Sequence, residues 1–407
     1  MAIKCMLCVL LLLTCFVLLL LIIFTNLSDG DEGDSRSFAS DDFAERIKNR
    51  ENERLTFSAN PTKILNLQTF QYLIDTKCNY STEDYEDLED EGRKIKAVWI
   101  ITSYAGDVSK RSALRHAYTN EELRRLGVRR IFLLGTLDEK AQVKTGVTQP
   151  AIENEAQRFK DVIQGNFVEA YKNLTYKHLM GLQWAVDKCS GSYSYIMKMD
   201  DDIIVNLYEV LSLIHNRTSS NTKPDFLMGY VLDHMTPIRN QANKWFVTKE
   251  EFSENVYPSF LSGWFYVTDM LTALKLVYQS RQHFKYFWID DLFVTGILRE
   301  EAKIYNIENV KEYFTSDYRF LKCCLEDKKN YLKYKCDFLV GPDGGDPNLL
   351  SIFKKYSEDC YYSYNCVDRP KEQLLKDTCI LDYKNFEHSE LGIGNAQVEN
   401  LLSSAMS

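Results

Sequence analysis

The strongest constraint on the fold is an alternation of apolar strands and helices that begins at Ile95. Four apolar runs of four to eight residues are predicted strands, at Ile95–Thr102, Arg130–Leu134, Asp161–Phe167 and Tyr195–Lys198. The segments between them predict helices at Ser109–Leu126, Ile152–Lys160 and Tyr171–Cys189. This spacing predicts an α/β fold with a mixed, mostly parallel sheet and helices on both faces. In such sheets ligands bind at the carboxyl ends of the strands.

Three aspartates follow the last of these strands. Asp200, Asp201 and Asp202 come directly after the apolar run Tyr195–Met199. Adjacent carboxylates beside a core repel one another unless a positive charge compensates them. Mg²⁺ or Mn²⁺ would provide that charge, because both ions prefer hard oxygen ligands. The alternative is an N-cap for a helix near Leu207–His215, for which one aspartate is sufficient.

A second acidic pair, Asp290 and Asp291, lies between the apolar triplets Phe287–Ile289 and Leu292–Val294. Burial among such neighbours raises the pKa of a carboxyl group and brings a general base towards neutral pH. The pair is equally compatible with the start of a helix at Asp291–Arg299.

The segment Tyr257–Val267 combines a proline, a glycine and several aromatic residues. Such a segment is compatible with a wall on which a sugar ring stacks, whereas the alternative is a buried core strand. The residues expected in a sugar or acceptor pocket are Ser262, Gly263, Trp264, Phe265 and Tyr266.

The N-terminal region predicts a membrane anchor. Residues 5–24 contain 19 hydrophobic residues and no charge, and twenty helical residues span about 30 Å, the thickness of the hydrocarbon layer. Lys4 precedes this segment and acids follow it, which predicts a cytosolic N-terminus and a type II orientation. A cleaved signal peptide is the alternative, but its apolar part is usually shorter and ends at small residues.

Charge divides the rest of the chain. Residues 29–93 carry 17 acids and 8 bases, which predicts an acidic stem. Residues 94–407 carry 41 acids and 40 bases, and this near-neutral balance argues against a nucleic-acid partner. The predicted organisation is a cytosolic tail at 1–4, the anchor at 5–24, the stem at 25–93, a folded domain at 94–355 and a cysteine-containing extension at 356–407.

The cysteines and glycosylation triplets indicate an oxidising compartment. Eight cysteines follow the anchor, an even number suited to disulfides. The adjacent residues Cys323 and Cys324 are expected to bond to different partners. Glycosylation is expected at Asn79, Asn173 and Asn216, which begin Asn-x-Ser/Thr triplets.

An ordered series of ten short motifs carries a family resemblance. It comprises Arg111–Tyr118, Phe132–Gly135, Glu155 with Asp161–Ile163, Asn166–Phe167, Tyr171–Trp184, Lys198–Asn206, Lys244–Val247, Tyr257–Pro258, Ser262–Gly263 with Tyr266–Val267, and Asp290–Asp291. Each motif is weak alone, but their order is specific. The series resembles the inverting beta-1,3-glycosyltransferase family that contains the beta-1,3-galactosyltransferases, related N-acetylglucosaminyltransferases and, more distantly, Fringe. The resemblance covers roughly residues 95–345.

The resemblance implies a GT-A type, Rossmann-like fold for residues 94–355 and a Golgi membrane location with this domain in the lumen. It also implies a UDP-sugar donor, a glycan acceptor on a glycoprotein or glycolipid, and Mn²⁺. On this basis Asp202 would coordinate the metal at the diphosphate, and Asp200 and Asp201 would contact ribose or support the metal shell.

The resemblance also implies a base and two nucleotide contacts. Asp291, beside Asp290, would deprotonate an acceptor hydroxyl that attacks the anomeric carbon with inversion. Arg111 and Arg115 match basic positions of the family and would contact the nucleotide, although a surface role fits them equally well.

The sequence departs from the family pattern at three places, and two of them, Phe265 and a missing His, motivate a non-catalytic alternative. Tyr118 replaces a usual Trp, which is a mild change. Phe265 stands where a small residue is usual, and its bulk is expected to narrow or reshape the sugar pocket. The late His of the metal site is absent from Asp337–Asp343, and Asp343 and Asp346 are the candidate substitutes. One alternative is a Golgi carbohydrate-binding or chaperone-like protein that kept the fold and lost catalysis. Another is a metal-dependent luminal hydrolase that uses the three aspartates.

Overall fold

The computed structural model describes residues 64–67, 69–79, 96–219, 225–283, 285–326, 328–329, 332–363 and 366–381. The predicted anchor at residues 5–24 and most of the predicted stem lie outside these ranges. Within them, no helix combines the length and the apolar character needed to cross a membrane.

A mixed sheet of eight strands forms the centre of the described structure. The described residues form thirteen strands in all, of which β6 and β10 to β13 belong to two smaller sheets. The strands are β1 (Tyr72–Ile74), β2 (Ala97–Thr102), β3 (Val128–Thr136), β4 (Val162–Val168), β5 (Tyr195–Asp200), β6 (Ile203–Val205), β7 (Leu227–Leu232), β8 (Phe260–Asp269), β9 (Glu308–Asn309), β10 (Lys328–Lys329), β11 (Leu332–Tyr334), β12 (Val340–Pro342) and β13 (Cys366–Val367). The order across the main sheet is β1, β4, β3, β2, β5, β8, β7, β9. Strands β4, β3, β2 and β5 are parallel, whereas β1 and β8 pair antiparallel with their neighbours and β9 is parallel to β7.

The four predicted strands are confirmed as β2, β3, β4 and β5, with ends that differ by one or two residues. They are the four parallel neighbours at the centre of the sheet. The mixed α/β class predicted from the alternation is therefore confirmed.

Helices and helical turns connect these strands. They are α1 (Val108–Ala117), α2 (Asn120–Arg125), α3 (Glu139–Thr145), α4 (Gln149–Phe159), α5 (Leu174–Cys189), α6 (Leu207–Ser219), α7 (Met270–Gln282), α8 (Arg299–Glu301), α9 (Tyr318–Glu326), α10 (Leu349–Ser363) and α11 (Leu375–Thr378). Leu292–Leu298 is π-helical and leads into α8, and Tyr171–Asn173, Lys311–Tyr313 and Lys371–Gln373 are 3₁₀ turns.

The helix predicted at Ser109–Leu126 is in fact two helices, so this prediction is wrong at its centre. Tyr118 ends α1 with an extended backbone (φ −124°), and Thr119 caps α2 by accepting a hydrogen bond from the Glu122 N–H at 3.2 Å. The break turns the Tyr118 ring into the core, where its hydroxyl donates to the Val205 carbonyl at 2.9 Å. Tertiary packing of one aromatic residue thus divides a continuous helical pattern.

Alternate residues of β2 face opposite sides of the sheet. Trp99 and Ile101 pack in a core cluster with Leu114 of α1 and Ile152 of α4. On the other face α5 approaches so closely that a Cβ on Gly181 would lie 2.5 Å from the Leu133 side chain. Helices therefore cover both faces, as the sequence predicts.

Four disulfides include all eight cysteines beyond the predicted anchor. Cys323 pairs with Cys379 and Cys324 with Cys336, which confirms separate partners for the adjacent cysteines. The others are Cys78–Cys189 and Cys360–Cys366.

The described structure extends beyond both predicted boundaries of the folded domain. Strand β1 and Cys78 belong to the range predicted as stem, yet β1 pairs with β4. The boundary predicted at residues 355 and 356 lies inside α10.

Candidate active site

The three adjacent aspartates lie where β5 ends, beside the carboxyl end of β2. The Asp201 N–H donates to the Thr102 carbonyl at 3.1 Å, and the Asp343 N–H donates to the Asp202 carbonyl at 2.9 Å. Burial is the main cause that raises the pKa of Asp200, Asp201 and Asp202 to about 6 each. The fold therefore concentrates negative charge at the edge of the sheet where ligands are expected.

Two lysines compensate part of this charge. Lys198 is buried, and its Nζ donates to Asp200 Oδ1 at 2.6 Å and to the Gly263 carbonyl at 2.5 Å. Lys110 Nζ lies 3.8 Å from Asp201 Oδ1. The second carboxylate oxygen of Asp201 is buried without a hydrogen-bond partner. The negative charge of the aspartates is therefore only partly compensated, and an additional cation would compensate the remainder.

The chemistry of these oxygens fits a divalent cation. No group of three or more His, Cys, Asp or Glu side chains in the described parts of the chain forms a complete set of metal ligands. Mg²⁺ and similar ions, however, are commonly held by one or two carboxylates together with phosphate and water. Asp202 and Asp200 would supply those carboxylates.

Of the two expected substitutes for the late His, only Asp343 adjoins the aspartates. Burial first, and then the charges of Asp200 and Asp343, raise the pKa of Asp202. Asp346 instead pairs with Lys322, with 2.8 Å between Nζ and Oδ2.

Asp290 is held as a carboxylate by a buried hydrogen-bond chain. His178 Nδ1 lies 2.9 Å from Asp290 Oδ2, and His178 Nε2 lies 2.7 Å from the Tyr266 hydroxyl. Burial opposes the charge on Asp290, but the hydrogen bond from His178 and the positive charge of Lys198 outweigh it and lower the pKa of Asp290. Burial also lowers the pKa of His178, so its ring is neutral. Tyr266 therefore donates to Nε2, and Nδ1–H donates to Asp290.

Asp291 is ionised less readily than Asp290. Its oxygens accept hydrogen bonds from the Leu292 N–H at 2.8 Å and the Gly263 N–H at 3.2 Å. Burial, followed by the charge of Asp290, raises the pKa of Asp291 to about 7. A carboxylate with this pKa is suited to accept a proton near neutral pH.

A small cavity of about 40 Å³ lies beside Asp291. Two polar groups in its lining residues, Trp245 Nε1 and the Tyr257 hydroxyl, are buried without hydrogen-bond partners. Unpaired buried polar groups are costly unless a ligand or water satisfies them. The cavity therefore offers hydrogen-bonding groups to a polar ligand that reaches Asp291.

Only some of the residues predicted for a sugar pocket line the cavity beside Asp291. Ser262 and Trp264 line the cavity of Asp291, and a Cβ on Gly263 would lie 3.3 Å from Asp291 Cβ. Tyr266 contacts His178 instead of the cavity.

The structure places Phe265, which was expected to narrow or reshape the sugar pocket, in the hydrophobic core. Phe265 is opposite Met199 across the sheet and packs in the core with Met197 and Val267. It does not line the cavity beside Asp291.

Arg111 and Arg115 are buried, so the expectation of a nucleotide contact or a surface position is not supported. Arg111 donates to Glu155 at 2.8 and 2.7 Å and to three backbone carbonyls. Arg115 donates to Glu155 at 2.7 Å and to Asp161 at 3.0 and 2.7 Å. Together with Arg130, which also donates to Asp161, they form an internal ion-pair network. Their protein partners explain both arginines structurally.

The three predicted glycosylation sites differ in accessibility. Asn79 and Asn216 are exposed. The Asn173 side-chain amide is partly exposed and donates to the Val168 carbonyl at 2.8 Å. Glycosylation at all three remains a prediction.

Sequence reasoning assigned no role to His178, Lys198 or Trp245. Lys198 carried a signal, because a lysine within an apolar strand needs a buried partner. His178 is one of several polar residues on α5, and nothing in its sequence neighbourhood indicates Asp290, which is 112 positions away.

Comparisons with known proteins identify the family of the chain. A family model described as galactosyltransferase matches residues 109–310. Beta-1,3-galactosyltransferase 5 of Mus musculus is 32% identical over 229 residues, which cover 56% of this chain and 70% of that protein. Beta-1,3-galactosyltransferase 1 of Mus musculus is 29% identical over 253 residues, which cover 61% of this chain and 70% of that protein.

A solved structure of the galactosyltransferase LgtC with donor and acceptor sugar analogues covers 68% of this chain and 98% of its own, at 7% identity and a TM-score of 0.28. That score is too low to support an argument about the fold. The family model and the sequence relatives show that the chain belongs to the beta-1,3-galactosyltransferase family and is a glycosyltransferase.

Proposed function

We propose that this chain transfers a hexose, galactose or N-acetylglucosamine, from a UDP-sugar to a glycan hydroxyl in beta-1,3 linkage with inversion. The proposal includes a GT-A type arrangement of the sheet. It also includes a type II Golgi location, with residues 5–24 as the membrane anchor and the folded domain in the lumen.

The observation that carries this proposal is the position and ionisation of Asp291. Its pKa is raised to about 7, and its carboxylate borders a cavity with two unpaired hydrogen-bonding groups. Asp291 would take the proton of the acceptor hydroxyl. The oxygen would then attack the anomeric carbon from the face opposite UDP, and the bond from that carbon to the UDP oxygen would break with its electron pair leaving on UDP. Attack on the opposite face inverts the configuration.

The neighbours of Asp291 would prepare it for this role. Asp290 remains negative because His178 and Lys198 stabilise its charge, although burial opposes it. Burial, and then the negative charge of Asp290, raise the pKa of Asp291 and make it a stronger base. Lys198 also links Asp200 to the Gly263 carbonyl, and Gly263 donates its N–H to Asp291. One buried lysine thus connects the two acidic groups.

The three aspartates would bind the donor. Mn²⁺ held by Asp202 and Asp200 would neutralise the charge that develops on the diphosphate leaving group. The buried Asp201 oxygen without a partner supports a cation near these residues.

Two observations, Phe265 and the missing late His, suggested the non-catalytic alternative, and the structure removes the first. Phe265 lies in the core, so its bulk gives no reason to expect a blocked pocket. The hydrolase alternative is not favoured, because the sequence relatives that show the family of this chain are galactosyltransferases.

A donor screen tests the proposed function. The purified chain is incubated with UDP-galactose or UDP-N-acetylglucosamine and a panel of glycan acceptors, with and without Mn²⁺, and released UDP is measured. We expect release with one of these donors, dependent on Mn²⁺ and matched by a beta-1,3-linked product. Binding of UDP-sugars in calorimetry without turnover on any acceptor would contradict catalysis and favour the carbohydrate-binding alternative.

A further inference from the structure

Trp264 and Tyr230 line two cavities. One is the cavity of about 40 Å³ beside Asp291, and the other has a volume of about 580 Å³. A cavity needs about 10–15 Å³ of space accessible to water to hold one water molecule, so the smaller cavity holds only a few waters. The smaller cavity therefore accommodates little more than the reacting edge of an acceptor sugar, and further parts of the acceptor must bind elsewhere.

The larger cavity has the size and the lining of a carbohydrate site. Its volume lies within the range of small-molecule sites, about 300–1,000 Å³. Aromatic side chains of Tyr230, Trp264, Tyr313 and Phe314 provide apolar surfaces, and Lys311, Glu312, Thr315 and Lys376 provide polar groups. A sugar ring has apolar C–H faces and a rim of hydroxyl groups, so this mixture suits it better than it suits a lipid chain.

The C-terminal segment builds one wall of this cavity. Leu374 and Lys376 belong to the lining, although the galactosyltransferase family model matches only residues 109–310. The Cys323–Cys379 disulfide fastens the segment to α9. Asp337 holds it as well, by accepting hydrogen bonds from Arg369 Nε at 3.0 Å and the Leu375 N–H at 2.6 Å.

From these observations we infer that the acceptor is a glycan of at least two sugar units, whose second sugar binds in the larger cavity against the wall formed by Leu374 and Lys376. The sugar with the reacting hydroxyl lies at Asp291, and Trp264 and Tyr230 contact both units. This inference rests on the proposed function and adds the length of its acceptor and the part of the chain that selects it.

Acceptor length gives the first test. The purified full chain is assayed with methyl galactoside and methyl N-acetylglucosaminide against lactose and N-acetyllactosamine. We expect kcat/KM for a disaccharide to exceed that for its monosaccharide by about tenfold or more, equivalent to one or two hydrogen bonds. Equal efficiency on both lengths overturns the inference while the proposed function stands.

A matched pair of double variants gives the second test. Glu312→Ala with Lys376→Ala removes one acid and one base from the cavity lining, and both residues are exposed, so folding is spared. Lys371→Ala with Glu372→Ala removes the same charges from exposed positions of the same C-terminal region that do not line the cavity. We expect KM for the disaccharide to rise about tenfold in the first variant alone, with donor KM and monosaccharide transfer unchanged. An unchanged disaccharide KM contradicts the inference.

Binding separates failure of the inference from failure of the proposed function. If no donor is turned over, the proposed function fails, and saturation-transfer NMR of N-acetyllactosamine then tests the cavity directly. Contact that is weakened by the lining variant and retained by its control supports the site, whereas equal signals in both contradict it.

Discussion

Asp290 and Asp291 are adjacent in sequence, yet their surroundings give them opposite ionisation. The Asp290 carboxylate accepts a hydrogen bond from neutral His178 and lies near Lys198, and these two residues outweigh burial and lower its pKa. Asp291 has backbone N–H partners, and burial together with the negative charge of Asp290 raises its pKa to about 7. The environment of each residue therefore keeps Asp290 ionised and leaves Asp291 to exchange a proton near neutral pH.

Asp291→Asn removes the proposed base at nearly constant volume. We expect kcat for transfer to fall by a factor of about 10² to 10⁴, the usual contribution of general-base catalysis, with UDP affinity unchanged in calorimetry. Wild-type transfer should increase as pH rises through about 7, because only ionised Asp291 accepts a proton. Asp377→Asn, at an exposed position, is the control. Undiminished transfer by Asp291→Asn would rule out the base assignment.

The same variant should be more stable than the wild type at alkaline pH. The folded-state pKa of Asp291 is raised above the usual value of 3.8, so the folded state binds this proton more tightly than the unfolded state. The stabilisation by this proton is complete below about pH 4 and is lost as pH rises through about 7. Asn cannot ionise, so the melting temperature of Asp291→Asn should exceed that of the wild type at pH 8. A lower melting temperature at pH 8 would contradict this ionisation.

At the scale of elements, ion pairs in the interior fix helix α1 relative to α4 and β4. Arg111 and Arg115 are on the face of α1 that meets Glu155 of α4 and Asp161, which directly precedes β4. Arg130 of β3 adds a third positive charge beside Asp161. Buried charges of this kind are tolerated only while each retains a partner. The network orients α1, which carries Lys110 to the aspartates at the end of β5.

Glu155→Gln tests this network. The substitution leaves three arginines around one carboxylate, and removal of one partner of a buried ion pair typically costs about 3–5 kcal/mol. We expect the free energy of unfolding to fall by about that amount in denaturant titrations. Glu153→Gln, on the exposed side of the same helix, should change it by less than about 0.5 kcal/mol. Equal effects of the two substitutions would show that the buried network adds no stability.

At the scale of the molecule, the disulfides differ widely in the length of chain that they close. Cys78–Cys189 joins the segment that contains β1 to the end of α5 and closes a loop with a sequence separation of 111. Cys360–Cys366 closes a separation of only 6. A cross-link stabilises a fold mainly by restricting the unfolded chain, and this effect increases with loop length.

Loop length predicts which disulfide contributes more to the free energy of unfolding. In the chain-entropy estimate, loss of Cys78–Cys189 costs about 5 kcal/mol and loss of Cys360–Cys366 about 2 kcal/mol. We therefore expect the paired substitution Cys78→Ser with Cys189→Ser to lower the free energy of unfolding by more than Cys360→Ser with Cys366→Ser does. The measurement is denaturant unfolding of the two double variants. Equal or reversed losses would contradict an entropic origin.

The sequence determined the elements whose signals are local. Apolar runs with strand lengths fixed β2 to β5, and the aspartates after β5 were placed at a strand end because parallel strands direct their carboxyl ends to one edge. The ordered motifs were sufficient to indicate the family. An even number of cysteines predicted disulfides, but 105 pairings were possible and only the fold selected one.

Only the tertiary structure decided which charged residues are available to a ligand. The sequence predicts that Arg111 and Arg115 are surface or nucleotide-binding residues. In the structure they pair with Glu155 and Asp161, which are at least 40 positions away in the chain. Phe265 and Trp264 are neighbours in sequence, yet only Trp264 lines the cavity of Asp291, and His178 reaches Asp290 across 112 positions. Burial and charge pairing depend on contacts between distant segments, and these contacts set the pKa of Asp291. Local sequence therefore identified the carboxylates, and the fold assigned their chemistry.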